Sequence, residues 1–85
     1  MPLTIQTSRV RGLKGMSIDV ESPEGRKTLA ETIKNQQKRG ITILANGSRI
    51  RSYNQKTNEF TTQGGTHIPV TNQTVVNMIG QSAGG

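Results

Sequence analysis

Cysteine is absent from the chain, which removes disulfide staples, thiolate metal sites and thiol nucleophiles together. The cytoplasm, or a virion, fits that absence better than a secreted disulfide scaffold. Tryptophan is missing as well, and the aromatic set is one Tyr and one Phe. Stacking platforms for single-stranded nucleic acid cannot be built from Tyr53 and Phe60 alone unless both are exposed. His67 is the only histidine. Without thiols or a nearby carboxylate pair it has no partners for a metal site or a general-base relay, and it reads as a partly exposed strand residue. The five acids, Asp19, Glu21, Glu24, Glu31 and Glu59, lie apart in sequence, with only Asp19 and Glu21 sharing the polar face of one strand; their expected role is that of solvated charges. No apolar run approaches the roughly 20 residues of a bilayer span, and Met1-Pro2-Leu3-Thr4 does not begin a basic-then-apolar leader. No enzyme, cofactor or metal centre is therefore expected, and no membrane partner.

What is there is small and basic. A chain of 85 residues that is 29% hydrophobic has room for one core, made mainly of scattered Leu, Ile, Val and Met. Such a chain buries only about 60–65% of the surface its unfolded form exposes, so assembly with a partner or with itself would add useful stability. Eleven Lys and Arg against five acids give a formal charge of +6, which suits nucleic acid, acidic protein surfaces or anionic lipid. The imbalance comes from scarce acids rather than from abundant bases.

The pattern along the chain alternates sheet and helix signals. Leu3, Ile5 and Thr7 alternate with polar neighbours, as do Met16, Ile18 and Val20, and Gly12-Leu13-Lys14-Gly15 lies between them, so a β-hairpin opens the fold. Val10 falls out of phase, which places a bulge near Arg9. Ser22-Pro23-Glu24 is a helix start, with Thr28 and Glu31 as an alternative capping box. The helix occupies about residues 24–38, buries Leu29 and Ile33, and stops at Gly40. Ile41 to Ala45 reads as an interior strand. Asn46-Gly47 is the strongest hairpin signal, and Ser48 to Tyr53 returns. Asn54 to Asn58 turns into a short strand at Glu59-Phe60-Thr61, Gln63-Gly64-Gly65 breaks the pattern, and His67 to Val70 resumes as an edge piece with its Pro. Residues 71–79 read as a buried strand at Thr74-Val75-Val76 or as a short helix capped by Thr71, with strand preferred. Gly80 to Gly85 offers nothing to bury.

Two features bear on function. Gly12 to Gly15 and Gly64-Gly65 lack the Lys-Ser/Thr ending of a phosphate loop and are turns. Arg9 with Arg11, and Arg49 with Arg51, are each two apart, so each pair points to one side of its strand. If the two strands lie near each other, four guanidiniums form one patch for phosphates or carboxylates.

The order of hairpin, helix, strand and short return strand resembles the β-grasp fold of ubiquitin-like proteins. Met16 to Pro23 looks like that family's second strand running into the helix start. Ile41 to Ile50 is similar to its strand, tight turn and return, and Gly84-Gly85 is similar to its conjugated ending. The resemblance covers roughly residues 3–50 and the tail, and departs from the family between Tyr53 and Val70 and over Thr74 to Ile79. It implies an α+β fold, a β-grasp-like sheet of about four to five strands on one helix, with Gly85 as the activated carboxylate and Gly84 allowing close passage.

The sequence thus reads as one α+β domain over residues 1–80 and a flexible Gly-rich tail over 81–85. The leading expectation is a non-enzymatic protein-interaction module, extended to a ubiquitin-like modifier if Gly84 and Gly85 are conjugated. A nucleic-acid-associated protein using Arg9, Arg11, Arg49 and Arg51 is the alternative, and a small bacteriophage structural or host-interaction protein is a third, on its Thr, Asn, Gln and Gly content.

Overall fold

A computed structural model describes residues 2–8 and 15–80. Along the chain run β1 (Leu3–Ser8), β2 (Met16–Ile18), α1 (Pro23–Lys38), β3 (Thr42–Ala45), β4 (Ser48–Asn54), β5 (Glu59–Thr62), β6 (His67–Pro69) and β7 (Val76–Ile79). The seven strands form one mixed sheet in the order β2-β1-β7-β3-β4-β5-β6. β1 and β7 pair in parallel, Ile5 opposite Val76 and Thr7 opposite Met78, and the other neighbours are antiparallel.

The α+β class holds, and the sheet is larger than the four to five strands expected. Polar turns at 55–58 and 63–66 fold β4, β5 and β6 back on one another as a meander, which extends the sheet beyond the return strand. β7 inserts between β1 and β3, which settles residues 76–79 as strand. Thr71 to Thr74 is a turn in which the Thr74 Oγ1 accepts from the Thr71 N–H at 2.9 Å.

Ser22 is the cap of the helix: its Oγ accepts from the Gly25 N–H at 3.0 Å, with Pro23 in the first turn. Leu29, Ile33 and Gln36 are the buried residues, spaced as one stripe along the helix. That stripe packs on the inward sheet positions Leu3, Ile5, Ile18, Ile43, Ala45, Ile50, Val76 and Met78. Phe60 and Val70 carry the same core under the meander. A tilted ring contact at 5.3 Å joins Phe60 to the half-buried Tyr53.

Three local features differ from expectation. β2 ends at Ile18, so Asp19 and Glu21 lie in the turn that enters the helix rather than on one strand face. Val75, placed by its neighbours in a buried strand, is 49% exposed, because the strand alternation that turns Val76 and Met78 inward turns Val75 and Ile79 outward. Gly80, expected to bury nothing, is buried. The bulge expected near Arg9 and the glycine turn's Gly12 to Lys14 lie outside the described residues. A bulge does occur on β4: Ile50 pairs with Thr62 and Ser52 with Thr61, so Arg51 is the extra residue.

Candidate functional site

One helix can cover one face of a sheet, and α1 lies on the face that holds Ile43 and Met78. The opposite face has no helix on it among the described residues. Register sets its side chains in rows. Gln6 lies beside Asn77, Asn77 beside Leu44, and Leu44 beside Arg49. Val75, immediately before β7, then Asn77 and Ile79 on it alternate onto the same face, two apolar side chains on either side of an amide. Val75 is 49% and Ile79 43% exposed, the exposed large hydrophobic residues of the described chain. β7 is flanked by β1 and β3, so these two sit near the middle of the sheet rather than on its rim.

The wall beside Val75 is built by the turn before β7. Asn46 fixes that turn from the opposite side: its N–H donates to the Val75 carbonyl at 2.8 Å, and its Oδ1 accepts from the Val75 N–H at 3.1 Å. The side-chain amide thereby extends the β3–β7 ladder one step past the end of β3. A groove of about 700 Å³ follows this wall, lined by Pro2, Thr4, Gln6, Glu21, Asn72 and Val75 among others.

A second cavity, about 350 Å³, lies on the helix side between α1 and β4, with Lys27, Glu31, Lys34 and Tyr53 in its lining. Burial raises the Tyr53 phenol above its ordinary range, and the positive charge of Arg26 opposes that shift without cancelling it. His67 is exposed, its Nδ1 3.3 Å from the Thr61 hydroxyl.

The residues singled out from sequence divide. Arg49 and Arg51 are both exposed on β4. Arg9, Arg11, Gly84 and Gly85 lie outside the described residues. β7 and β3 stand between β1 and β4, which puts the axes of those two strands about 14 Å apart. Val75 and Ile79 were not singled out. The signal was present in the count of elements: a single amphipathic helix leaves one sheet face uncovered, and a strand with apolar residues at both parities, Val75 and Ile79 against Val76 and Met78, must expose one set.

Comparison of the chain with protein-family models, curated proteins and solved structures gives no match.

Proposed function

We propose that this chain is a small, non-enzymatic protein-interaction module of β-grasp type that seats its partner on the uncovered sheet face. The fold half of the reading is supported by sequence order: hairpin β1–β2, then α1, then β3 and its tight return β4 follow one another as the resemblance implied, with the β5–β6 meander as an addition. The functional half rests on one observation, the exposure of Val75 at the entry to the central strand β7 and of Ile79 at its end. Apolar side chains at mid-sheet are ordinarily covered, and each of these two would contribute about 1 kcal/mol if the exposed half of its surface were buried by a partner. Arg49, at the end of the Gln6-Asn77-Leu44 row, favours a partner that presents a carboxylate beside an apolar ridge. Conjugation through Gly84 and Gly85 is a further step that the module reading does not need.

The test is a double substitution, Val75→Ser with Ile79→Ser, in affinity capture with quantitative mass spectrometry. The melting temperature should hold, since both side chains face solvent, while a partner retained by the wild-type protein is lost. Capture of the same partner by the variant would remove the sheet face as the docking surface.

A further inference from the structure

Five described cations lie on the last turns of α1 and on the strand β4 that is clamped to them, while Arg26 and Lys27 sit at the helix start and Lys56 in the turn after β4. Lys34, Gln37 and Lys38 share one side of α1, three and four residues apart, and the Gln37 amide donates to the Arg51 carbonyl at 2.8 Å, which clamps the last turn of the helix to β4. Arg39 caps the helix. Arg49 stands two residues before Arg51, and its carbonyl accepts from the Gln63 N–H at 3.1 Å. Lys34, Lys38, Arg39, Arg49 and Arg51 are all exposed. Between helix end and strand runs a groove of about 300 Å³, with Gln37, Thr42, Arg49 and Gln63 in its lining.

The acids lie elsewhere. Asp19, Glu21 and Glu24 sit at the start of the helix, and Glu24 is about 21 Å of helix from Lys38, well beyond the roughly 8 Å over which charge is felt at physiological salt. Glu59 pairs with Asn54 at the far end of β4. Glu31 alone approaches the cluster, one turn before Lys34, and it shares the other cavity with both Lys27 and Lys34. The helix dipole puts partial negative charge at this end, but the last carbonyls are occupied: those of Gln36 and Gln37 accept from Arg39, Gly40 and Ile41, and Lys38 and Arg39 offset the remainder.

We infer that this basic pole binds the phosphate backbone of nucleic acid, without reading sequence. Spread cations around a groove lined by polar residues such as Thr42 and Gln63 are the groups that position a backbone. An acidic protein surface fits less well, because a protein interface draws most of its affinity from buried anchors; here Phe60 is buried and the Tyr53 hydroxyl is held by Asn58, so the pole offers charge and hydrogen bonds but no free aromatic anchor. This surface adjoins the Val75–Ile79 face, since Arg49 belongs to both and Thr42 pairs with Ile79. Lys34 and Lys38, on α1, belong to the pole alone, so their double variant separates the two readings.

Fluorescence anisotropy with a labelled mixed-sequence DNA duplex, titrated at salt from about 50 to about 200 mM, tests it. The logarithm of the affinity should fall linearly with the logarithm of salt. The slope should become shallower by about 2 in Arg49→Gln with Arg51→Gln, and by a similar amount in Lys34→Gln with Lys38→Gln, at roughly 0.9 for each phosphate no longer neutralised. All four side chains are exposed, so unchanged melting temperatures confirm that the variants are folded. No binding at the lowest salt, or slopes untouched by both double variants, overturns the inference. Equal affinity for a polyglutamate peptide at the same salt would also overturn it, and would assign the pole to acidic protein.

Discussion

The Tyr53 hydroxyl donates to Asn58 Oδ1 at 2.6 Å, across the turn that joins β4 to β5. Asn58 is held in the left-handed region at φ 56°, and its other amide atom reaches away from the turn. Nδ2 donates to the carbonyls of Val70 at 3.0 Å and Val20 at 3.4 Å, while the Asn58 carbonyl accepts from the Val70 N–H at 2.9 Å. One residue thus ties the meander to the segment that enters the helix and to the end of β6. Asn58→Ala should destabilise by about 2–4 kcal/mol, from broken hydrogen bonds and the left-handed backbone together. Asn58→Gly keeps the backbone and loses only the bonds, so its urea midpoint should fall between wild type and Ala. Equal midpoints for Gly and Ala would show that the backbone conformation contributes nothing.

The same pair predicts an alkaline limit. The folded protein holds the Tyr53 phenol neutral above the pH at which the unfolded chain ionises it, mainly through burial. Its contribution to stability is therefore full below about pH 10 and is lost as pH rises through the higher folded value. Lysines titrate in the same range, so the measurement is a difference: urea midpoints of wild type and Tyr53→Phe compared from neutral pH upward. The variant should be less stable at neutral pH, by about 1 kcal/mol for the bond to Asn58, and the gap should narrow as pH passes about 10. A constant gap across that range would remove the phenol as its cause.

Asn46 and Gly47 both have positive φ, at 50° and 85°, as a type I′ turn requires. A Cβ at Gly47 would meet nothing within 4 Å, so any effect of Gly47→Ala isolates the backbone and should be about 1 kcal/mol of destabilisation. Asn46→Gly accepts the turn but strips the acceptor from the Val75 N–H. Its effect should appear as faster amide exchange at Val75 more than as a shift in the urea midpoint, because Val75 is already half exposed.

Local signals in the sequence placed the Ser22 cap, the Asn46-Gly47 turn, the interior position of β3 and the edge position of Pro69, since each depends on residues a few positions apart. The seven-stranded order was not legible. The pairing of Ile5 with Val76 joins chain segments some seventy residues apart, and only the shared core under α1 decides it. For the same reason the Val75–Ile79 ridge was hidden: which parity of β7 faces out depends on which side of the sheet the helix occupies. The gathering of Lys34 and Lys38 with Arg51 depends on the Gln37 hydrogen bond to β4, between residues distant in sequence.

Gly25 gives the sharpest test of the helix entry, because two general rules make opposite predictions for it. Glycine inside a helix ordinarily weakens it, and replacement by Ala ordinarily gains up to about 1 kcal/mol. Here the chain before the helix doubles back. The Asp19 carbonyl accepts from the Ser22 N–H at 3.2 Å and from the Ser22 hydroxyl at 3.1 Å, and this turn lies directly against the first helical residues. A Cβ on Gly25 would sit 1.8 Å from the Asp19 oxygen and 2.6 Å from its carbonyl carbon. Both are backbone atoms, so no side-chain rotation relieves the clash. Either the turn moves, losing the Ser22 cap that holds the Gly25 N–H, or the helix start unwinds. Gly25→Ala should therefore destabilise by about 1–3 kcal/mol, the range for overpacking at a rigid contact. Thr28→Ala, on an exposed helical position, should move the urea midpoint slightly or upward and serves as the control. A stabilised Gly25→Ala would mean that the Asp19 carbonyl does not pack against the helix start.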